Sequence, residues 1–331
     1  MKCSSRISLG IISLSTVILL IISGSLTQAT AQQTEGHGGR DSEGDRANSI
    51  PQVPWINISE SLCPVVDTIT VAADGVEMPM SYRKPPGEGP FPAIVFFHGG
   101  ALQAPKEILT RSVKSHNHAT RFLEKGFVIA VTTRRPGASH KNAQVLEGGL
   151  QLDCLASVEF VKQLPFIDSG SVVVFGGSMG GALGLLVAGK TQLATLVSGE
   201  PASHVLTGIL LKTESNNNID ILQSTDENSD TSELQQSRNL LGKHVIEKIR
   251  CPVLIFMGDF PTDLNIHNKT VTIPEFKSLG KEVTVIEYPG LEHNFSKTSE
   301  EELDRIVNDA ALFIIEHIRT QPSPRALPGK Y

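Results

Sequence analysis

The sequence predicts an α/β fold: a mostly parallel twisted sheet with helices on both faces and an antiparallel entry hairpin. Three observations carry that expectation. Strand-like apolar runs alternate with helix-like segments along most of the chain. The central runs, Ala93-Ile94-Val95-Phe96-Phe97 and Val172-Val173-Val174-Phe175, are apolar without alternation, as strands covered on both faces must be. A glycine-rich turn, Gly176-Gly177-Ser178-Met179-Gly180-Gly181, joins the second run directly to a small-residue helical run, Ala182 to Ala188.

In chain order, Val65–Ala73 and Met78–Arg83 meet around Asp74-Gly75 and predict the entry hairpin. A strand over 92–98, a helix over about 113–125, a strand over 127–133, a helix over about 149–164 and a strand over 171–176 follow. After the turn and its helix come a strand over 193–198 and a variable region, 200–250. The apolar run Cys251–Gly258 and the run Val283–Ile286 read as two more strands, and Glu300 to about Arg319 as a long helix. Residues 61–320 thus make one domain, long enough for a large core.

Ser178 stands at the tip of a strand–turn–helix, the context that makes G-x-S-x-G a nucleophile elbow. The residues beside it must lack bulk, and the following helix starts with N–H groups that have no partner inside it. Serine needs a base to become a nucleophile at neutral pH. His293, in Gly290-Leu291-Glu292-His293-Asn294-Phe295 just past a strand end, is the candidate. A carboxylate would hold that imidazole in one tautomer. Asp259 and Asp263 both follow the strand ending at Gly258; Asp263 is preferred, Asp259 is the alternative, and Glu200, after the strand over 193–198, ranks third. The order along the chain is then serine, acid, histidine.

On Phe97-His98-Gly99-Gly100, Gly176–Gly181, Pro252–Gly258 and Gly290–Phe295, the chain resembles the α/β-hydrolase superfamily over roughly residues 65–320. It is most similar to the dienelactone hydrolase and prolyl-oligopeptidase-like groups, although dienelactone hydrolase itself uses a cysteine where this chain has Ser178. The resemblance implies a serine hydrolase. A carboxylic ester hydrolase is the first expectation; a peptidase of prolyl-oligopeptidase type and a non-catalytic binding module on the same scaffold are the alternatives. Such peptidases gate their sites with a large propeller domain, for which this chain has no room. The resemblance also implies oxyanion donors at the Met179 amide and in the loop after His98-Gly99, at Gly100. His98 itself would brace the loop. No cofactor is needed, and the partner is a small-molecule ester or amide.

Lys2 and Arg6, an apolar run from Ile7 to Ile22, and Ala29-Thr30-Ala31 read as a secretory signal peptide, residues 1–31. The run is short beside the ~20 residues a spanning helix needs, and an uncleaved membrane anchor is the alternative. Export follows as the expected localisation. Residues 32–60 read as a flexible linker and 321–331 as a disordered tail. Cys63, Cys154 and Cys251 are an odd set for an exported chain. Glycosylation sequons stand at Asn57, Asn268 and Asn294. The net charge of −6 and the lack of a basic run speak against nucleic acid. The polar stretch Thr213–Ser237 reads as a mobile loop rather than a packed lid. Asp226–Asp230 lacks the glycine and closing glutamate of a calcium loop, and His116 and His118 are too closely spaced to share a helix face.

Overall fold

The computed structural model describes residues 60–100, 103–115, 117–136, 146–207, 210–213, 219–222, 244–293 and 298–320. The leader, the tail, all of the linker but residue 60, His116, the acidic run 226–230, most of the polar stretch 213–237 and the sequons at Asn57 and Asn294 lie outside them.

One eight-stranded sheet organises the domain, in the order β1-β2-β4-β3-β5-β6-β9-β10. The strands are β1 (Val66–Val71), β2 (Glu77–Arg83), β3 (Phe91–Phe97), β4 (Val128–Thr132), β5 (Ile167–Gly177), β6 (Leu196–Gly199), β9 (Val253–Gly258) and β10 (Val283–Tyr288). β2 runs antiparallel to β1 and to β4. The pairs from β4 through β3, β5, β6 and β9 to β10 are all parallel. β7 (Leu210–Thr213) and β8 (Ile219–Leu222) pair separately as an antiparallel two-stranded sheet within the region expected to vary.

The continuous apolar runs are continuous because both faces are covered. Alternate residues go to opposite sides. Val95, Phe97, Val172 and Val174 join one core with Val158 and Val161 of α3 (Gln151–Lys162) and Leu183 and Leu186 of α4 (Met179–Ala188). Ile94, Phe96, Val173 and Phe175 face the other way. They meet Leu109 and Val113 of α1 (Lys106–Lys114), Phe122 of α2 (His118–Glu124), and Ile306, Ala310 and Ile314 of α6 (Glu300–Thr320). Each such side chain, removed from water, stabilises the fold by roughly 1.5–3 kcal/mol.

The helix expected over about 113–125 is α2, which starts only at His118. Asn117 caps it: its Oδ1 accepts from the Ala119 and Thr120 amides at 2.8 and 3.2 Å, and Thr120 Oγ1 accepts from the Asn117 amide at 2.8 Å. This reciprocal cap starts α2 afresh and is worth about 1 kcal/mol. Asn117 Nδ2 also donates back to Ser112 O in α1, fixing the corner. α1 lies ahead of that expected helix, overlapping it only at Val113 and Lys114.

The three cysteines of the domain are buried, and among the described residues no disulfide joins them. Burial pushes the Cys154 and Cys251 thiols up to about 12. They serve as small core residues. The sequon at Asn268 is also internal: the side chain is fully buried and donates through Nδ2 to Pro201 O at 3.0 Å.

Candidate active site

Three strand ends, those of β5, β6 and β9, and the loop after β10 converge on one point. Ser178 follows β5 with φ 53° and ψ −118°, a conformation that a residue with a side chain rarely adopts. Its surroundings hold it there. The Ser178 amide donates to Gly199 O at 2.8 Å, and Ser178 O accepts from the Ala182 and Ala202 amides at 3.1 and 2.9 Å.

Three of the glycines around it, Gly176, Gly180 and Gly181, are steric necessities. A Cβ at Gly176 would overlap the Gly180 carbonyl, one at Gly180 would overlap Phe97 O, and one at Gly181 would lie 2.5 Å from Ser198 Oγ. Gly177 has open space at its Cβ position.

His293 reaches Ser178 from the loop after β10. Its Nε2 lies 3.1 Å from Ser178 Oγ, and its Nδ1 hydrogen-bonds Glu200 Oε2. An ionised carboxylate only accepts, so Nδ1 carries the proton and Nε2 presents its lone pair to the serine. The loop is tied down on both sides. The Gly290 amide donates to Asp259 Oδ1 at 2.8 Å, and Leu291 O fills the space where a Cβ at Gly258 would go.

The carboxylate that the structure brings to His293 is therefore Glu200, not Asp263 and not Asp259. The reason is topological. β6 lies between β5, which carries the serine, and β9. The residue after β6 is thus next to the nucleophile. Glu200 takes a left-handed φ of 40°, with its amide donating to Phe256 O at 2.8 Å. Asp263 opens α5 (Asp263–His267), whose N-cap is Thr262. Asp259 holds the histidine loop. The contribution of the 259–267 segment to the site comes instead from Asn265, which donates through Nδ2 to Glu200 Oε1 at 2.8 Å.

Glu200 is 2 % exposed. Burial works against its charge, but hydrogen bonds from His293, the Gly258 amide at 2.9 Å and Asn265 outweigh it and hold the carboxyl below its ordinary range. The sequence signal for this residue was Gly199-Glu200-Pro201: an acid directly after the strand beside the nucleophile's own.

The loop after β3 faces the elbow. A Cβ at Gly99 would lie 3.4 Å from Gly177 O and 3.5 Å from Ser178 Cβ, and Gly100 has φ 71°. His98 braces this loop through Nδ1 to Gly99 O at 2.7 Å. Burial, then the positive charge of Arg134, push its pKa down to about 3, so it is neutral and not a proton carrier at physiological pH. Met179 is the first residue of α4.

A family model described as the prolyl oligopeptidase family matches residues 115–320. The chain belongs to the prolyl oligopeptidase family. Solved structures agree on the fold. Dipeptidyl peptidase 4 of Porphyromonas gingivalis superposes with a TM-score of 0.59 at 17 % identity, over 77 % of this chain and 36 % of its own. Pyrococcus horikoshii acylaminoacyl peptidase gives 0.55 at 18 %, over 83 % of this chain and 44 % of that one. Brefeldin A esterase, a bacterial homologue of human hormone-sensitive lipase, gives 0.54 at 17 %, over 78 % of both chains. The chain thus spans less than half of either peptidase. Esterases and peptidases both stand among the similar chains, and membership of the prolyl oligopeptidase family is consistent with either chemistry. Among the described residues no helix is long and apolar enough to cross a membrane.

Proposed function

We propose that this protein is an exported carboxylic ester hydrolase that works through Ser178, His293 and Glu200 and a covalent acyl-enzyme. The observation that carries the proposal is the position of His293, with Nε2 3.1 Å from Ser178 Oγ and Nδ1 on the buried Glu200.

In the first step Ser178 Oγ attacks the ester carbonyl carbon while His293 Nε2 takes the hydroxyl proton. The imidazolium so formed is stabilised by Glu200. The carbonyl oxygen becomes an oxyanion, stabilised by the Met179 and Gly100 amides. Collapse breaks the bond to the alcohol oxygen, which leaves with the proton from His293. Water then gives its proton to His293 and attacks the acyl-enzyme. The second collapse releases the acid and returns the proton to Ser178.

An ester substrate is supported by the likeness to brefeldin A esterase and to a thermostable esterase from Pseudomonas putida, at 17 % and 15 % identity. Family membership favours a peptidase as the second reading. Export is supported by the leader pattern of residues 1–31.

The test is turnover by residues 32–331 of p-nitrophenyl esters of rising acyl length and of aminoacyl p-nitroanilides, beside Ser178→Ala. Ester turnover that needs Ser178 is expected. Turnover of anilides alone would make the protein a peptidase, and ester turnover surviving in Ser178→Ala would remove Ser178 as nucleophile.

A further inference from the structure

The loop that faces Ser178 is gripped from beneath at consecutive carbonyls. Arg134, two residues past the end of β4, donates through Nη2 to His98 O and through Nη1 to Gly100 O. The carbonyl between them, Gly99 O, is held by His98 Nδ1 at 2.7 Å. Thr133 adds a fourth tie, its Oγ1 accepting from the Ala104 amide at 2.6 Å.

A trans peptide aims its C=O and the next residue's N–H in opposite directions. Pinning His98 O and Gly99 O therefore turns the Gly99 and Gly100 amides to the other side of the loop. Glycine peptides rotate easily because no Cβ restricts them. Two adjacent glycines would let a carbonyl swing toward the oxyanion and repel it, so the orientation must be imposed from outside the loop.

Arg134 is an expensive way to impose it. The side chain is 2 % exposed, and a buried charge costs several kcal/mol unless it is compensated. Among the described residues no carboxylate pairs with it. The buried Asp153 is engaged instead by Arg135, with Nη2 to Oδ1 at 2.7 Å and the Arg135 amide to Oδ2 at 2.8 Å. The guanidinium spends two of its donors on backbone carbonyls beside the nucleophile. Its charge sits behind the two peptide planes that flank the Gly99–Gly100 peptide, whose amide is the proposed donor and whose carbonyl His98 holds.

We infer that Arg134 is a positioning residue for transition-state stabilisation, holding the His98–Gly100 loop with its amides toward the oxyanion that forms on the substrate. This rests on the Ser178 hydrolase reading above. It concerns the oxyanion, so it affects the tetrahedral states and not the binding of a neutral ester.

The test compares wild type, Arg134→Lys, Arg134→Ala and Ser178→Ala for p-nitrophenyl ester turnover, melting temperature and inhibition by an alkyl trifluoromethyl ketone, which forms an oxyanion adduct with the serine. Arg134→Ala should lose kcat about a hundredfold with KM changed less than about threefold, and the ketone should bind weaker by a similar factor. Millimolar guanidinium should restore part of kcat in Arg134→Ala. Arg134→Lys, which keeps the charge, covers the case in which the alanine variant does not fold, and should fall between the two. Wild-type kcat in either folded variant, beside a dead Ser178→Ala, would overturn this inference alone. So would a loss of kcat with ketone affinity unchanged. Turnover surviving in Ser178→Ala would overturn the hydrolase reading and this inference with it.

Discussion

Asn265 donates through Nδ2 to Glu200 Oε1 at 2.8 Å, joining the segment after β9 to the carboxylate after β6. The same Nδ2 lies 3.1 Å from Gly258 O and 3.0 Å from Phe260 O, so this one amide fixes the acid and the turn beside it together. The carboxylate is left with Oε2 for the imidazole.

From that contact, replacing Asn265 by Leu should loosen Glu200 without removing it. The expected result is a fall in kcat of about tenfold with little change in KM. A stability loss of about 1–3 kcal/mol should accompany it, since the acceptors it serves are buried. Steady-state kinetics and urea unfolding check both; unchanged kcat would mean that the Gly258 amide alone suffices to hold the acid.

The elbow glycines separate by position. Gly180→Ala would set a methyl group against Phe97 O, which should cost about 3 kcal/mol and shift the turn. Gly177→Ala meets nothing within 4 Å. Melting curves and fluorophosphonate labelling should therefore find Gly177→Ala close to wild type and Gly180→Ala impaired in both. Equal behaviour of the two variants would contradict the steric account of the turn.

The strands, the hairpin and the elbow were legible because each has a local cause. Continuous apolar runs such as Val172–Phe175 are what a strand covered on both faces requires, and Gly176 and Gly180 are forced by backbone contacts within and beside the turn. The acid was less legible. Asp263 and Glu200 both follow strands, and choosing between them depends on which strand lies beside β5, a property of sheet order rather than of local sequence. The start of α2 had a local cause too: Asn117 and Thr120 form a capping box there, a few residues inside the span expected as helix.

Acid sensitivity should come in part from His118. Its ring packs on Phe96 and Phe175, with centroids 5.6 and 6.0 Å apart. Burial, then the charge of Arg121, push its pKa down to about 4. The unfolded chain takes up this proton near pH 6.5 and the folded one near 4, so stability from this group is intact above 6.5 and is lost as pH falls between those values. The slope is about 1.4 kcal/mol per pH unit. Urea unfolding at pH 7 and pH 5 should show His118→Phe losing about 2 kcal/mol less than wild type over that interval. Equal losses would place the proton uptake elsewhere.

Asn268 should carry no glycan in active protein from a glycosylating host, because its Nδ2 is committed to Pro201 O, one residue from Glu200. Peptide mass mapping checks this. A glycosylated Asn268 in the active fraction would contradict the packing of that loop.

The most direct test of the account is kcat of Glu200→Gln beside Asp263→Asn and Asp259→Asn, each verified as folded. Glutamine at 200 would present an amide where the imidazole needs an anion. The loss expected is about 10³–10⁴-fold, while both aspartate variants stay within about tenfold of wild type. Near-normal turnover in Glu200→Gln with a collapse in Asp263→Asn would contradict the assignment of Glu200 as the acid that supports His293.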